Sequence, residues 1–316
     1  MFTWSCYELK LFIDGKTGTT GLRILERIQN RKDIKLISLS EEERKDAKRR
    51  RWALNHCDIA MLCLPDDAAR EAICLIENPA VKVIDASTAH RTREGWSYGF
   101  PELSPTFRQN IQNGSRIAVP GCYASGFVAL IYPLVEAGIL DPSVRLTCHA
   151  VSGYSGGGKK MIGEYEASQR SPLLDAPRQY ALTQGHKHLP EMKYITRLNT
   201  TPIFCPWVSD YYSGMVVTVP LFREDAAGGD TDAIRRVYQT HYNGPVVFYQ
   251  EAFSEEGLLS ACALSGLDRM EISVEGNADR ILLLARFDNL GKGASGAAVQ
   301  CLNLMTGQKE TEGLSL

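Results

Sequence analysis

The sequence lacks long apolar runs. No stretch reaches the roughly 18 consecutive apolar residues that a membrane-spanning helix requires, although 44% of the 316 residues are hydrophobic. The first ten residues, MFTWSCYELK, have no basic segment followed by an apolar one, which is the pattern of a secretory signal. These absences predict a cytoplasmic protein without a membrane partner.

The sequence also lacks paired cysteines and a large excess of charge. Its nine cysteines are an odd number and form neither CxxC pairs nor the Cys/His spacing of a zinc site, so we expect reduced thiols and no metal. The formal net charge of −2 gives no reason to expect binding to nucleic acid or to an anionic membrane. The most basic segment, EEERKDAKRRR (41–51), interleaves acids with bases and is typical of a solvent-exposed helix.

The first third of the sequence alternates short β-rich runs with helical patterns. The runs 9–13, 34–39, 58–64, 81–85 and 116–119 are typical of strands, and 20–30 is typical of a helix. This alternation predicts an α/β fold with a parallel, Rossmann-type sheet that has helices on both faces. After a predicted helix at 123–136, longer β-runs with few helices between them predict a second, α+β domain with a mixed or antiparallel sheet. One more helix is expected after the glycine-rich turn that begins at Gly291.

Three glycines in FIDGKTGTTG (12–21) lie between the first predicted strand and the first predicted helix: Gly15, Gly18 and Gly21. Glycines there permit a tight turn and a close approach of the backbone to a pyrophosphate, which the N–H groups of a helix N-terminus stabilise. The spacing is GxxGxxG, not the commoner GxGxxG, so a tight turn without a ligand is the alternative interpretation. The position on the first strand of a βαβ unit favours dinucleotide binding.

The end of the second predicted strand indicates which dinucleotide is bound. An Asp or Glu at that position would bind the free ribose 2′-OH of NAD. Here the strand ends in Ser38, Leu39 and Ser40, and Arg44 and Lys45 follow a turn later, with the acids 41–43 between them. These residues predict a site for the 2′-phosphate of NADP.

One cysteine and a pair of histidines are candidates for catalysis. Cys122 follows a Pro-Gly turn and precedes an apolar helix, so the helix dipole and N–H groups should lower the pKa of its thiol. We expect the other eight cysteines to be structural. His186 and His188 flank Lys187 in a short polar segment, where either imidazole could take the thiol proton. The sequence does not decide between the two, although we favour His188; His56, His149 and His241 are expected to be structural.

Seven segments in order resemble the N-acetyl-γ-glutamyl-phosphate reductases, in their shorter, type 2 form. They are GxxGxxG, DASTAHR (85–91), YGFPEL (98–103), PGCYAS (120–125), SGYSGGGK (152–159), HKHLPEM (186–192) and KGASGAAVQ (292–300). The resemblance covers about residues 9–305 and extends to the similar aspartate-semialdehyde dehydrogenases. It implies an NADP-binding Rossmann domain (1–121), a catalytic and dimerisation domain (122–290), and a C-terminal segment (291–316) that returns to the first.

The resemblance also implies an activity and a set of site residues. The reaction is the third step of arginine biosynthesis, in which NADPH reduces N-acetyl-γ-glutamyl phosphate to the semialdehyde and phosphate is released. Cys122 matches the nucleophile that forms a thioester, His186 and His188 match the family's HxH motif, and the enzyme is expected to be a homo-oligomer, either dimer or tetramer. The expected cofactor contacts are Gly15, Thr17, Gly18, Thr19, Thr20, Gly21, Ser38, Arg44, Ser87, Gly293 and Ala294. The expected substrate and phosphate contacts are Arg91, Ser152, Gly153, Tyr154 and Lys159.

Two alternatives remain open at this point. A related semialdehyde dehydrogenase could act on aspartyl phosphate or on the longer aminoadipyl phosphate, because one methylene discriminates only weakly in a pocket. From another class, the protein could be a nucleotide-binding redox sensor in which Cys122 switches without turnover. A sensor of that kind needs a resolving cysteine, and none lies close to Cys122 in the sequence.

Overall fold

The computed structural model describes residues 8–226, 229–251 and 255–316, so most of the segment MFTWSCYELK lies outside the described residues. The first part of the chain forms a six-stranded parallel sheet in the order β2-β1-β3-β4-β6-β5. Its strands are β1 Leu9–Asp14, β2 Ile34–Ile37, β3 Ile59–Leu62, β4 Lys82–Asp85, β5 Ser97–Tyr98 and β6 Arg116–Ala118. The α/β prediction is confirmed; the two-residue strand β5 was too short to be recognised in the sequence.

Four helices accompany this sheet: α1 Thr19–Ile28, α2 Ala47–His56, α3 Asp66–Leu75 and α4 Pro105–Asn113. The sequence predicted one helix for the segment 41–51, but the structure divides it into two elements. A 3₁₀ turn at Glu43–Lys45 comes first, and α2 starts after Asp46, whose side chain accepts a hydrogen bond from the Lys48 N–H (2.8 Å). Asp46 is therefore an N-cap, and a capping residue inside a charged run divides it into two elements.

The second sheet has seven strands in the order β11-β12-β13-β10-β7-β9-β8. They are β7 Thr147–Gly153, β8 Arg178–Gln179, β9 Ile203–Ser209, β10 Met215–Phe222, β11 Val247–Tyr249, β12 Met270–Gly276 and β13 Arg280–Phe287. The pairs β7·β9 and β11·β12 are parallel and the others antiparallel, which confirms the expected mixed sheet. Helices are more frequent here than predicted, since α6 Gly158–Glu166, α7 Leu189–Thr196 and α8 Thr231–His241 lie between strands.

Helix α5, Cys122–Glu136, lies in the main core and contains a proline that the sequence left unexplained. Pro133 has no N–H, so the Ala129 carbonyl four residues earlier loses its helical partner. The Tyr242 hydroxyl donates to this carbonyl (2.7 Å), and the neighbouring Tyr238 hydroxyl donates to Leu130. The two tyrosines, 108 and 113 residues away, therefore satisfy the carbonyls on the side of α5 where the proline interrupts the hydrogen bonding.

The chain returns to the first sheet through α9, Gly296–Thr306. Residues of α9 such as Val299 and Leu302 share one buried apolar cluster with Leu11 and Ile84 of the parallel sheet. The expected last helix is present, but the segment from Gly291 to Ser295 before it is a π-helical turn. Among the described residues, no helix combines the length and apolarity needed to cross a bilayer.

Candidate active site

A cavity of about 190 Å³ lies beyond the carboxyl ends of the parallel strands, next to the N-terminus of α5. The fold brings many of the predicted site residues together there: Thr19, Thr20, Arg91, Cys122, His186, His188, Gly293 and Ala294 all line it. A larger cavity, of about 380 Å³, lies beside α1 and contains none of the predicted site residues. The smaller cavity is the candidate active site, because the predicted nucleophile and both predicted histidines line it.

Cys122 is the first residue of α5 and follows the N-cap Gly121. By surface area it is only partly buried, because it faces the cavity, but protein atoms surround it densely. Burial raises the pKa of the Cys122 thiol, and this outweighs the lowering of that pKa by the Tyr123 N–H, Arg91 and Lys187. The prediction of a lowered pKa was therefore wrong: the loss of hydration around the sulfur cannot be seen in the sequence. A raised pKa favours the thiol form of Cys122, so as a nucleophile it would need a base.

The two predicted histidines lie side by side, with ring centroids 4.8 Å apart. The backbone N–H of His188 donates to Nδ1 of His186 (3.1 Å), so that nitrogen is an acceptor. Burial, reinforced by Lys187, lowers the pKa of His186 to about 4. Burial together with Arg91, His186 and Lys187 lowers the pKa of His188 well below its usual value. Both rings are neutral near pH 7 and can accept a proton.

His188 is the histidine placed against the start of α5. A Cβ on Gly121 would lie 2.4 Å from Nε2 of His188 and 2.4 Å from Nη1 of Arg91, so only glycine lets both side chains approach the residue before Cys122. Nδ1 of His188 has no hydrogen-bond partner among the described residues, whereas Nδ1 of His186 is engaged. This geometry favours His188 as the proton acceptor and His186 as the residue that fixes its backbone.

A buried carboxylate that the sequence did not indicate organises this corner. Glu191, in the first turn of α7, accepts hydrogen bonds from Arg91 (3.0 Å), from the Tyr98 hydroxyl (2.7 Å) and from the Gly121 N–H (2.8 Å). It thereby joins three segments around the turn that presents Cys122. A buried glutamate needs several hydrogen-bond donors. Glu191 lies in HKHLPEM, and two of its donors lie in the motifs YGFPEL and DASTAHR, so only a pairing of these distant motifs could have indicated its role.

The glycine turn after β1 has a shape that fits a pyrophosphate. Gly15 has φ of +87°, and a Cβ there would lie 2.3 Å from the Cys63 carbonyl; a Cβ on Gly21 would lie 2.6 Å from the Gly15 carbonyl. The protein itself therefore requires glycine at these two positions. At Gly18, the N-cap of α1, a Cβ would meet its nearest atom only at 3.4 Å. The open side of the turn therefore lies over the first N–H groups of α1, where an anionic phosphate is stabilised.

The other predicted cofactor contacts differ in exposure and in the hydrogen bonds that they already form within the protein. Arg44 donates to Thr17 (3.0 Å) and to Glu41 (2.7 Å), and Ser38 is exposed. Ser87 is buried, and its hydroxyl donates to Asp85 (2.7 Å), so its side chain is already engaged.

Gly293 lines the cavity and lies against Cys122, since a Cβ on Gly293 would be 3.0 Å from the Cβ of Cys122. Gly293 and Ala294 belong to the π-helical turn, which Lys292 anchors through buried bonds to Glu102 (2.7 Å) and Gln300 (2.6 Å). Gly293 thus lies directly against Cys122, the predicted nucleophile, and its lack of a side chain leaves room for a bound group there.

The glycine-rich segment SGYSGGGKK is placed differently from expectation. Ser152 and Gly153 end the buried strand β7, and the Tyr154 ring stacks on Tyr165 at 4.7 Å, away from the cavity. Lys159 is exposed and does not line the cavity. The residues of this segment that do line it are Ser155, Gly156 and Gly158. In the described part of the chain, no cluster of three or more His, Cys, Asp or Glu residues could hold a metal ion.

The lowered histidine pKa values predict a specific sensitivity to acid. We expect the free energy of unfolding to decrease as the pH falls from about 6.5 towards 4, because unfolded His186 and His188 take up protons that their folded forms do not. His186→Asn should weaken this pH dependence, as measured by urea unfolding at several pH values. His56→Asn, a change at an exposed histidine, is the control. Equal pH dependence in His186→Asn and the wild type would contradict the assignment.

Comparison with known proteins places the chain among semialdehyde dehydrogenases. A family model for the semialdehyde dehydrogenase NAD binding domain matches residues 46–111, and one for the semialdehyde dehydrogenase dimerisation domain matches residues 122–289. In solved structures, the fold is similar to that of aspartate semialdehyde dehydrogenase II from Vibrio cholerae, with a TM-score of 0.71 at 18% identity over 95% of this chain and 98% of that one.

Relatives with similar sequences identify one family within the semialdehyde dehydrogenases. N-acetyl-gamma-glutamyl-phosphate reductase 2 of Nostoc sp. is 45% identical over 320 residues, covering 96% of this chain and 99% of the relative. N-acetyl-gamma-glutamyl-phosphate reductase of Rhizobium meliloti is 46% identical over 304 residues, covering 94% and 98%. Near-complete coverage at this identity, together with the cavity around Cys122, shows that the chain belongs to the N-acetyl-γ-glutamyl-phosphate reductase family.

Proposed function

We propose that the protein reduces N-acetyl-γ-glutamyl phosphate to the γ-semialdehyde with NADPH and releases phosphate, as a cytoplasmic enzyme of arginine biosynthesis. The observation that carries the proposal is the position of Cys122 in a small cavity that His188, Arg91 and Gly293 also line. A redox sensor would need a second thiol in this cavity. Cys122 is the only cysteine among its lining residues in the described chain.

In the proposed reaction, Cys122 forms and then breaks one covalent bond. His188 accepts the thiol proton as Sγ attacks the acyl carbon; the new S–C bond forms, the C–O bond to phosphate breaks, and phosphate leaves. When bound, NADPH would supply a hydride to the thioester carbon. His188 returns its proton as the C–S bond breaks, which restores the thiol and the neutral ring and releases the aldehyde.

The chain offers groups for both ends of the cofactor. The turn Gly15–Gly21 would hold the pyrophosphate, with Thr19 and Thr20 reaching the cavity. Gly293 and Ala294 would border the nicotinamide next to Cys122. We assign Arg44, with Thr17 and Ser38, to the 2′-phosphate of NADP, because a guanidinium matches a phosphate and no Asp or Glu occupies positions 38–40.

The outer face of the second sheet supports the oligomer. Helix α5 covers the inner face, whereas the outer face of β9, β10 and β13 exposes Ile203 (57%), Phe222 (64%) and Leu282 (39%). Exposed apolar side chains on one face of a sheet are typical of an interface. We propose that residues 122–290 dimerise through this face, and sedimentation of the purified protein will show a monomer if this is wrong.

The function is tested in the oxidative direction, with N-acetyl-glutamate γ-semialdehyde, NADP⁺ and phosphate. We expect NADPH formation that depends on phosphate, with kcat/KM about tenfold or more above that with NAD⁺, the value of one charged hydrogen bond. Arg44→Ala should remove this preference and leave the NAD⁺ reaction unchanged. Faster turnover of aspartate semialdehyde or of the aminoadipate homologue would establish the alternative substrate instead. Absence of phosphate-dependent turnover with all three aldehydes would refute the proposed reaction class.

A further inference from the structure

Lys187 is the cation at the reaction cavity that has no bonded partner. It lies between the two histidines and lines the cavity with Cys122. It forms no hydrogen bond or ion pair with any residue in 8–226, 229–251 or 255–316. Its charge nevertheless reaches the site, because it lowers the pKa values of Cys122, His186 and His188.

The other cation of the cavity is already committed to the protein. Arg91 donates from Nε to the Val119 carbonyl (2.8 Å), from Nη1 to Glu191 (3.0 Å) and from Nη2 to the Ala86 carbonyl (3.2 Å). The carboxylate of Glu191 compensates its charge. Arg91 is therefore positioned as part of the wall, and its pairing leaves little net positive charge for a ligand.

The carboxylate that faces Lys187 from the neighbouring helix is also engaged. Asp66, in the first turn of α3, feels the charge of Lys187, which contributes to lowering its pKa. Both of its oxygens accept hydrogen bonds from Thr88, one from the N–H (2.9 Å) and one from the hydroxyl. Asp66 thus holds the loop after β4, and the ammonium of Lys187 keeps its three donors for a ligand.

We propose that Lys187 recognises the phosphate group of the acyl phosphate and of inorganic phosphate, in place of the lysines of the glycine-rich segment, which do not line the cavity. The inference rests on the proposed function. A phosphate leaving the acyl carbon of a Cys122 adduct departs within this small cavity, where a free ammonium can stabilise its charge as the C–O bond breaks. In the reverse direction, Lys187 would hold the phosphate whose oxygen attacks the thioester carbon and expels the Cys122 sulfur.

The first measurement is the alkylation rate of Cys122, which does not depend on turnover. Inorganic phosphate should protect Cys122 from alkylation by iodoacetamide, and the half-protecting concentration should rise about tenfold to a hundredfold in Lys187→Gln, the range of a charged hydrogen bond. Lys187→Arg should restore most of the protection. Lys193→Gln makes the same charge change at an exposed position of α7 outside this cavity, and it should resemble the wild type.

Two further measurements separate phosphate recognition from an effect on the nucleophile. The burst of NADPH from semialdehyde and NADP⁺ without phosphate reports Cys122 and hydride transfer. Loss of the Lys187 charge raises the Cys122 pKa and should slow this burst, but in Lys187→Gln KM for phosphate should rise by a larger factor than the burst rate falls. A slower burst with unchanged phosphate KM and unchanged protection would show that Lys187 acts only on the thiol, and would overturn the proposal. So would a loss of phosphate protection in Lys159→Gln but not in Lys187→Gln. If phosphate protects the wild type through Lys187 but no aldehyde is oxidised, the proposed function fails while the phosphate site stands.

Discussion

Changing Cys122 to Ser is expected to lower kcat by a factor on the order of a thousand or more while NADP⁺ binding stays near the wild-type value. The hydroxyl of serine ionises far less readily than a thiol, and among the described residues Nδ1 of His188 has no carboxylate partner that would strengthen the ring as a base. Cys148→Ser, at a cysteine buried in the main core, is the matched control and should act through stability alone. Normal turnover by Cys122→Ser would eliminate the covalent mechanism.

The same experiment can follow the adduct and the ionisation of the sulfur. Enzyme given acyl phosphate without NADPH should gain the mass of one acyl group on the peptide that contains Cys122. Because burial raises the pKa of Cys122 above its usual value of 9.0, its alkylation rate should still be rising as the pH passes 9. A rate that levels off near pH 7 would show that the helix N-terminus and the two cations overcome burial after all.

Changing Glu191 to Ala is expected to destabilise the protein by about 3–5 kcal/mol and to abolish most activity. The substitution leaves the Arg91 charge, the Tyr98 hydroxyl and the Gly121 N–H without their shared acceptor, and removing one partner of a buried ion pair typically costs this much. Urea unfolding measures the loss. Glu136→Ala breaks an ion pair with Arg197 whose two side chains are 42% and 64% exposed, so it should cost less than about 1 kcal/mol.

A second variant separates positioning from folding at this carboxylate. Glu191→Gln keeps one carbonyl acceptor and the side-chain volume, so it should fold. Its kcat should still fall, because the amide group can accept from the Gly121 N–H or from Arg91 but no longer from both. Because the Glu191 charge is one of the groups that raise the Cys122 pKa, alkylation of Cys122 in Glu191→Gln should accelerate at a lower pH than in the wild type. A fall in kcat despite this more easily ionised thiol would support the positioning role. A stable Glu191→Gln enzyme with wild-type kcat would restrict Glu191 to a structural role.

Features encoded within a few residues were predictable from the sequence. The strand, glycine turn and helix around Gly15 and the helix that begins at Cys122 follow from local patterns, because periodicity and glycine placement act over one or two turns. Glu191 was missed because its three donors lie 70, 93 and 100 residues away in the chain. The role of Pro133 was obscure for the same reason: the tyrosine that satisfies the freed carbonyl is 113 residues distant.

The sequence predicted the pKa values and charges of the site less well than the location of its residues. A helix N-terminus is visible in a sequence, but the burial that raises the Cys122 pKa depends on how tightly His188, Arg91 and Gly293 close around it. The same limit applies to the lysines: Lys159 lies in the more suggestive motif, yet of these two exposed lysines only Lys187 lines the cavity. Net charge near a ligand is a property of the assembled fold.

The return of α9 to the first sheet has a consequence for how the protein is made. A ribosome finishes β1 to β6 well before it reaches Gly296, and until then one face of that sheet lacks Val299 and Leu302. At about 5–20 residues per second, the roughly 180 residues in between take on the order of ten seconds or more to synthesise. The nascent first domain must spend that time with an uncovered apolar surface, so the second domain has the chance to fold first and the nucleotide-binding half is the one expected to depend on chaperones.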